Sequence, residues 1–142
     1  MDNKIIIADA GPLIAFGKIK RLDLITETLG TILATGFVLD ECLANPAQKG
    51  AKEISEGISQ KWIERCENPV VDQYKDLFDT LGAGEASAII LASQLKVGLL
   101  IDEKLGRKTA QKMNLKIIGT AGVLLLAKEK KRIEKVARLS LN

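Results

Sequence analysis

Four carboxylates stand where a chain can gather them for chemistry. Asp9 closes the apolar run Ile5-Ile6-Ile7-Ala8, and Asp102 closes the second such run, Val97 to Ile101. Glu85 follows Leu81-Gly82-Ala83-Gly84 at the head of a helical segment. Glu41 sits just over a turn into another, after Val38-Leu39-Asp40. The chain contains no histidine. That removes Ser-His-Asp and Cys-His catalysis, histidine zinc sites and histidine acid–base work together. Hydrolysis would have to come from carboxylates, lysine, hydroxyls or a metal held by oxygen ligands. Crowded carboxylates repel, and a divalent cation is what normally neutralises such a set.

The elements that would position these acids follow from apolar patterning. A continuous apolar run such as Ile5 to Ala8 reads as a strand buried on both faces, as in a parallel sheet. Further strands are expected at Thr31 to Ala34, Val97 to Ile101 and Lys116 to Ile118, with Trp62-Ile63 as a short edge strand. Helices are expected over 12–18, 22–29, the segment begun by Thr35 or Gly36 and ended by Asn45-Pro46, 47–59, 74–80, 85–95, 103–113 and 121–130. Gly30 and Thr120 take capping places. Strands alternating with helices indicate an α/β fold, a three-layer α/β/α sandwich with a mainly parallel central sheet. In such units strand ends and helix starts share one face, so Asp9, Glu41, Glu85 and Asp102 fall on that face. Each acid also has a plainer role. Asp9 and Asp102 suit helix caps, Glu85 suits the positive end of a helix dipole, and Glu41 suits solvated surface. Asp40 points away from the apolar side that Glu41 flanks.

Bulk composition limits the remaining options. The 142 residues are enough for one domain spanning 1–142 and hardly for two. Only 4% are aromatic, so the core is aliphatic and few rings are available to stack bases. A net charge of +3 tolerates a nucleic-acid partner without demanding one. Cys42 and Cys66 fit no metal or redox spacing and read as reduced core thiols. No amino-terminal signal segment is visible, and the apolar runs are too short to span a bilayer. A cytoplasmic protein without a membrane partner is expected. Gly11 to Lys18 imitates a phosphate loop. It has one residue too many between the glycines and Ile19 where a hydroxyl should hold magnesium, so nucleotide binding is rejected.

An ordered set of short matches resembles the PIN domain family, in particular its VapC-type toxin-like branch, once catalogued as a domain of unknown function. The pieces are Ile7-Ala8-Asp9-Ala10-Gly11-Pro12-Leu13-Ile14, Leu22-Asp23-Leu24-Ile25 and Val38-Leu39-Asp40-Glu41. The later ones are Leu81 to Ile89, Leu99 to Arg107 and Gly119 to Leu125. The resemblance places acidic catalytic and metal-ligating roles on Asp9, Glu41, Glu85 and Asp102. Glu103 stands where relatives often carry a second aspartate and joins the ligand set on that ground. Relatives usually have Thr-Ser or a similar pair after the first aspartate, whereas this chain has Ala10-Gly11.

The resemblance implies an endoribonuclease dependent on Mg²⁺ or Mn²⁺ that leaves a 5′-phosphate and a 3′-hydroxyl. A bound ion would lower the pKa of a water and neutralise charge on the pentavalent phosphate. Lys104, Arg107 and Lys108 on the helix after Asp102, with Thr120 on the same face, are the expected RNA contacts. Such contacts would be mainly to phosphate and sensitive to salt. Relatives of this kind pair with a small antitoxin protein and assemble as homodimers, and both are expected here. The alternative is a PIN-like RNA- or protein-binding module with weak catalysis, favoured by the missing hydroxyl at Ala10-Gly11.

Overall fold

The computed structural model describes residues 4–140. Its elements run β1 (Ile5–Ala8), α1 (Ala10–Lys18), α2 (Asp23–Leu29), β2 (Thr31–Thr35), α3 (Gly36–Leu43), α4 (Ala51–Ser59) and β3 (Ile63–Cys66). A 3₁₀ turn at Val71–Tyr74 leads to α5 (Lys75–Leu81), α6 (Ala83–Leu95), β4 (Gly98–Leu100), α7 (Lys104–Lys112), β5 (Ile117–Ile118) and α8 (Thr120–Ser140). The five strands form one sheet in the order β3-β2-β1-β4-β5, and every pairing is parallel.

β1 lies in the middle because it can. Ile6, Ile7 and Ala8 are buried, so no residue of its inner half asks for water. Ala8 registers with Leu100 on one side and Ile7 with Leu33 on the other. From β1 the chain steps outward through β2 to β3, then crosses back to β4 and outward to β5. Right-handed crossovers in opposite directions put their helices on opposite faces of the sheet. The result is the α/β sandwich expected from the alternation of elements. The order reverses between β1 and β4, which opens a crevice at their carboxyl ends.

Two local devices fix the strands and helices near that crevice. Gly30 ends α2 at φ +99°, where a Cβ would stand 2.1 Å from the Lys4 carbonyl oxygen. Its bare backbone lets Thr31 donate to that carbonyl at 2.9 Å and start β2 in register with β1. At the other end of β2, Thr35 and Ser87 are fully buried and bonded through their hydroxyls at 2.7 Å. Ser87 donates to the Gly84 carbonyl at 2.8 Å, and the Thr35 oxygen accepts from the Val38 amide at 3.2 Å. One set of protons satisfies all three contacts, with the Thr35 hydroxyl donating to Ser87. The pair therefore locks the start of α3 to the start of α6.

Several boundaries differ from the sequence expectation, each for a physical reason. The helix expected over 47–59 begins only at Ala51. The Asn45 side chain takes the Ala47 amide in a turn, and Gly50 sits at φ +95°. The edge strand lies at Ile63–Cys66 and excludes Trp62, although the Trp62 carbonyl still accepts from Ile32. The helix after Asp9 starts at Ala10, two residues before Pro12, because proline is tolerated in a first turn. The charged tail after Lys131 continues α8 to Ser140. None of the described helices is long and apolar enough to cross a membrane.

Ser87→Ala should lower unfolding free energy in urea by about 1–3 kcal/mol, the cost of leaving the buried Thr35 hydroxyl without its partner.

Candidate functional site

Four of the five acids are placed by an element boundary, and Glu41 lies in the second turn of α3. Asp9 follows β1, and its amide still donates to the Leu100 carbonyl at 2.9 Å, so the residue is anchored across the β1–β4 crevice. It is 7% exposed and precedes α1, yet its side chain makes no helix-capping hydrogen bond. Asp9 thus holds the N-cap position of α1 without the side-chain bond that a capping aspartate makes. Glu41 lies on α3 with its Oε1 3.2 Å from where a Cβ on Gly84 would be, which places it over the first turn of α6. Glu85 extends from that same turn to α7, where its Oε2 would lie 2.9 Å from a Cβ on Gly106. Glycines at these two positions give the carboxylates room to approach neighbouring helices.

The last two acids carry helix-capping work as well. Asp102 follows β4 and accepts the Thr120 amide at 2.7 Å and the Thr120 hydroxyl. Glu103 precedes α7 and accepts the Gly106 amide at 2.9 Å. Asp40 points elsewhere and pairs with Arg65 at 3.0 Å, as its position on the helix implied.

The electrostatics show that the acids share one environment. Burial raises the Asp9 carboxyl to about 6, and the charges of Glu41, Glu103 and Asp102 add to that, while the Ala10 amide pulls it down. Glu85 is raised to about 7, first by desolvation, then by Asp9, Glu103 and Glu41, with a carboxyl–carboxylate hydrogen bond to Glu103 contributing. Burial also pushes the Cys42 thiol to about 12, with Glu41 and Asp9 adding to it, so this free cysteine is inert. The three ion pairs among the described residues are Arg21–Asp23, Arg65–Asp40 and Arg132–Glu129. None of the five acids has a cationic partner in that set.

Among the described residues, no three acids converge tightly enough to grip one ion directly. The donor chemistry nevertheless suits a hard dication, because every candidate ligand is a carboxylate oxygen. Mg²⁺ keeps several of its waters and binds through one or two carboxylates, so three converging side chains are not required. Glu41, Asp102 and Glu103 are exposed and accessible to a large substrate. A cleft of about 670 Å³ lined by Lys20, Asp23, Glu53, Glu56 and Trp62 contains none of these acids.

The expected RNA contacts divide into two groups. Lys104 and Lys108 are exposed on α7. Arg107 instead turns inward, donating from Nη1 to the Ile101 carbonyl at 2.8 Å, and Thr120 spends both donors on Asp102. Sequence reasoning gave no functional place to Ser87 or Asn68. The Asn68 side chain accepts the Phe37 amide at 2.8 Å and ties the loop after β3 to the first turn of α3. Asn before Pro69 signals only a turn, and its partner lies 31 residues away.

Comparisons with known proteins agree with this architecture. A family model described as a PIN domain, DUF3368, matches residues 5–140. A solved structure of a PilT N-terminus domain protein from the hyperthermophilic archaeon Sulfolobus solfataricus superposes with a TM-score of 0.52 at 17% identity. That match covers 87% of this chain and 92% of the other. No curated protein matches the chain.

The raised carboxyls set a sign for the pH dependence of stability. A carboxyl with a higher pKa in the folded state binds protons that the unfolded chain has already released. Stability of the metal-free protein is then lost as pH rises from about 4, through about 6 for Asp9 and about 7 for Glu85. Asp9→Asn should raise the melting temperature at pH 7.5 and leave it near wild type at pH 4, read by thermal unfolding in chelator.

Proposed function

The chain belongs to the PIN domain family, whose members are commonly nucleases, and on that premise we propose that it is a Mg²⁺- or Mn²⁺-dependent endoribonuclease. The observation that carries the reading is a cluster of carboxylates at the β1–β4 crevice without an ion-pair partner among the described residues, headed by a buried Asp9 whose side chain makes no capping bond. Structural acids are usually solvated, paired or capping. Asp9 is largely buried, has no ion-pair partner among the described residues and makes no side-chain capping bond to α1, which favours a cation as its partner.

In this proposal Asp9, Glu41, Glu85 and Asp102 hold the ion directly or through water, and Glu103 supports Glu85 from the start of α7. When bound, the ion would supply charge neutralisation at the phosphate and acidify a water. Asp9 is the rigid member of the set, fixed by its backbone bond to β4. Glu41, in the second turn of α3, and Glu85, in the first turn of α6, approach from helices whose starts are locked together by Thr35 and Ser87. Lys104 and Lys108 are available to flanking phosphates, giving a binding term that weakens with salt. The proposal extends to the toxin half of a toxin–antitoxin pair, with a small antitoxin and a homodimer. An antitoxin encoded beside this chain would support that extension.

The test compares metal-dependent cleavage of structured and unstructured RNAs by wild type and Asp9→Asn at matched purity. Activity should fall by more than about 100-fold, beyond the loss typical of groups that only support a ligand. Equal cleavage by both proteins would point to a contaminant and sink the assignment. Absence of cleavage by wild type across several RNAs, with retained RNA binding, would favour the catalytically weak binding module.

A further inference from the structure

Resting on the metal-dependent reading above, we infer that Thr120 is a positioning residue that orients Asp102 toward the ion. A second grip, from Arg107, holds the backbone that carries Asp102. Thr120 reaches Asp102 across 18 positions of sequence and offers it two donors at once. Its amide meets Oδ1 at 2.7 Å, and its hydroxyl meets Oδ2. Two bonds from one residue to the two oxygens fix the rotation of an exposed carboxylate that would otherwise sample several rotamers. A carboxylate has about four acceptor positions, so each oxygen keeps capacity for an ion after Thr120 is served.

Helix capping alone does not account for this contact. The bond from the Thr120 amide to Oδ1 satisfies an orphan donor at the start of α8, as a cap would. The bond from the hydroxyl to Oδ2 satisfies no helix backbone group. It adds a hold on the acid itself. The surrounding residues are arranged to permit it. A Cβ on Gly119 would stand 2.7 Å from Asp102 Oδ1 and 2.9 Å from Arg107 Nη1. Arg107 in turn holds the Ile101 carbonyl at 2.8 Å, and the Ile101 amide donates to Ile118 at 2.9 Å. The residue before Asp102 is thus pinned from α7 and from the end of β5, while its side chain is pinned from α8.

The experiment is calorimetric titration of Mn²⁺ into wild type, Thr120→Val, Thr120→Ser, Asp9→Asn and Asp102→Asn, with thermal unfolding in chelator to confirm folding. Thr120→Val should weaken the Mn²⁺ Kd about tenfold, the lower end of what outer-shell partners carry. Thr120→Ser, which restores the hydroxyl, should return within about twofold of wild type. Destabilisation without a positioning role would lower the melting temperature but leave the Kd of the folded protein unchanged. A wild-type Kd in Thr120→Val beside a weakened Asp102→Asn would overturn the inference and leave the metal site standing. Equal losses in the Ser and Val variants would overturn the hydroxyl's part. Wild-type Mn²⁺ binding by both Asp9→Asn and Asp102→Asn would instead overturn the metal reading itself. Should Thr120→Val fail to fold, Thr120→Ala removes the hydroxyl with less bulk and should weaken Mn²⁺ binding to a similar extent; an unchanged Kd there would refute the proposal.

Discussion

Repulsion among carboxylates at one end of the sheet is the constraint around which the molecule is arranged. The reversal of strand order between β1 and β4 leaves their carboxyl ends facing a crevice with no crossover above it. Asp9 sits in that crevice, removed from water, with Glu41, Asp102 and Glu103 near enough to raise its pKa. A lone buried carboxylate would simply stay protonated. Here Asp9 and Glu85 are lifted only to about 6 and about 7, which leaves both able to ionise near neutrality. The fold tolerates the conflict because it is confined to one edge of an otherwise aliphatic core.

That confinement depends on contacts that join the first turns of different helices. Thr35 and Ser87 bind α3 to α6, Asn68 ties the loop after β3 to α3, and Asp102 joins β4 to α8. Gly84 and Gly106 remove the side chains that would separate Glu41 from α6 and Glu85 from α7. Glu41 and Glu85 thus reach across to neighbouring helices with their side chains.

The architecture was legible in the sequence to the extent that it rests on apolar patterning. Ile5 to Ala8 and Val97 to Ile101 announce buried parallel strands, and alternation with helices gives the sandwich. Element direction alone puts Asp9, Glu41, Glu85 and Asp102 on one face. What the sequence withheld are contacts between distant residues of ordinary type. Ser87 inside an apolar helix reads as a tolerated small residue until Thr35 is placed 2.7 Å away. Arg107 and Thr120 read as surface donors for RNA, and only the placement of Ile101 and Asp102 shows that Arg107 Nη1 and both Thr120 donors also bond within the protein. The late start of α4 was hidden for a similar reason. Its apolar spacing continues through 47–50, but the Asn45 turn and the left-handed Gly50 have already committed that backbone.

The acids also differ in how much structure depends on them, and this decides which can be interpreted most directly. Asp102 holds the start of α8 and Glu103 the start of α7, so removing either carboxylate frees a helix terminus as well as a candidate ligand. Glu41 is exposed and approaches α6 by its side chain alone. Asp9 bonds to β4 through its backbone amide, which a change of side chain leaves intact, and its side chain caps no helix. Replacing that carboxylate with an amide of the same shape therefore removes charge while keeping the anchor. Its burial makes the charge costly to the fold, and no described cation offsets it. The Asp9 carboxylate thus carries an electrostatic cost that its side chain does not recover by capping α1, and in the proposed function a cation is the partner that offsets it.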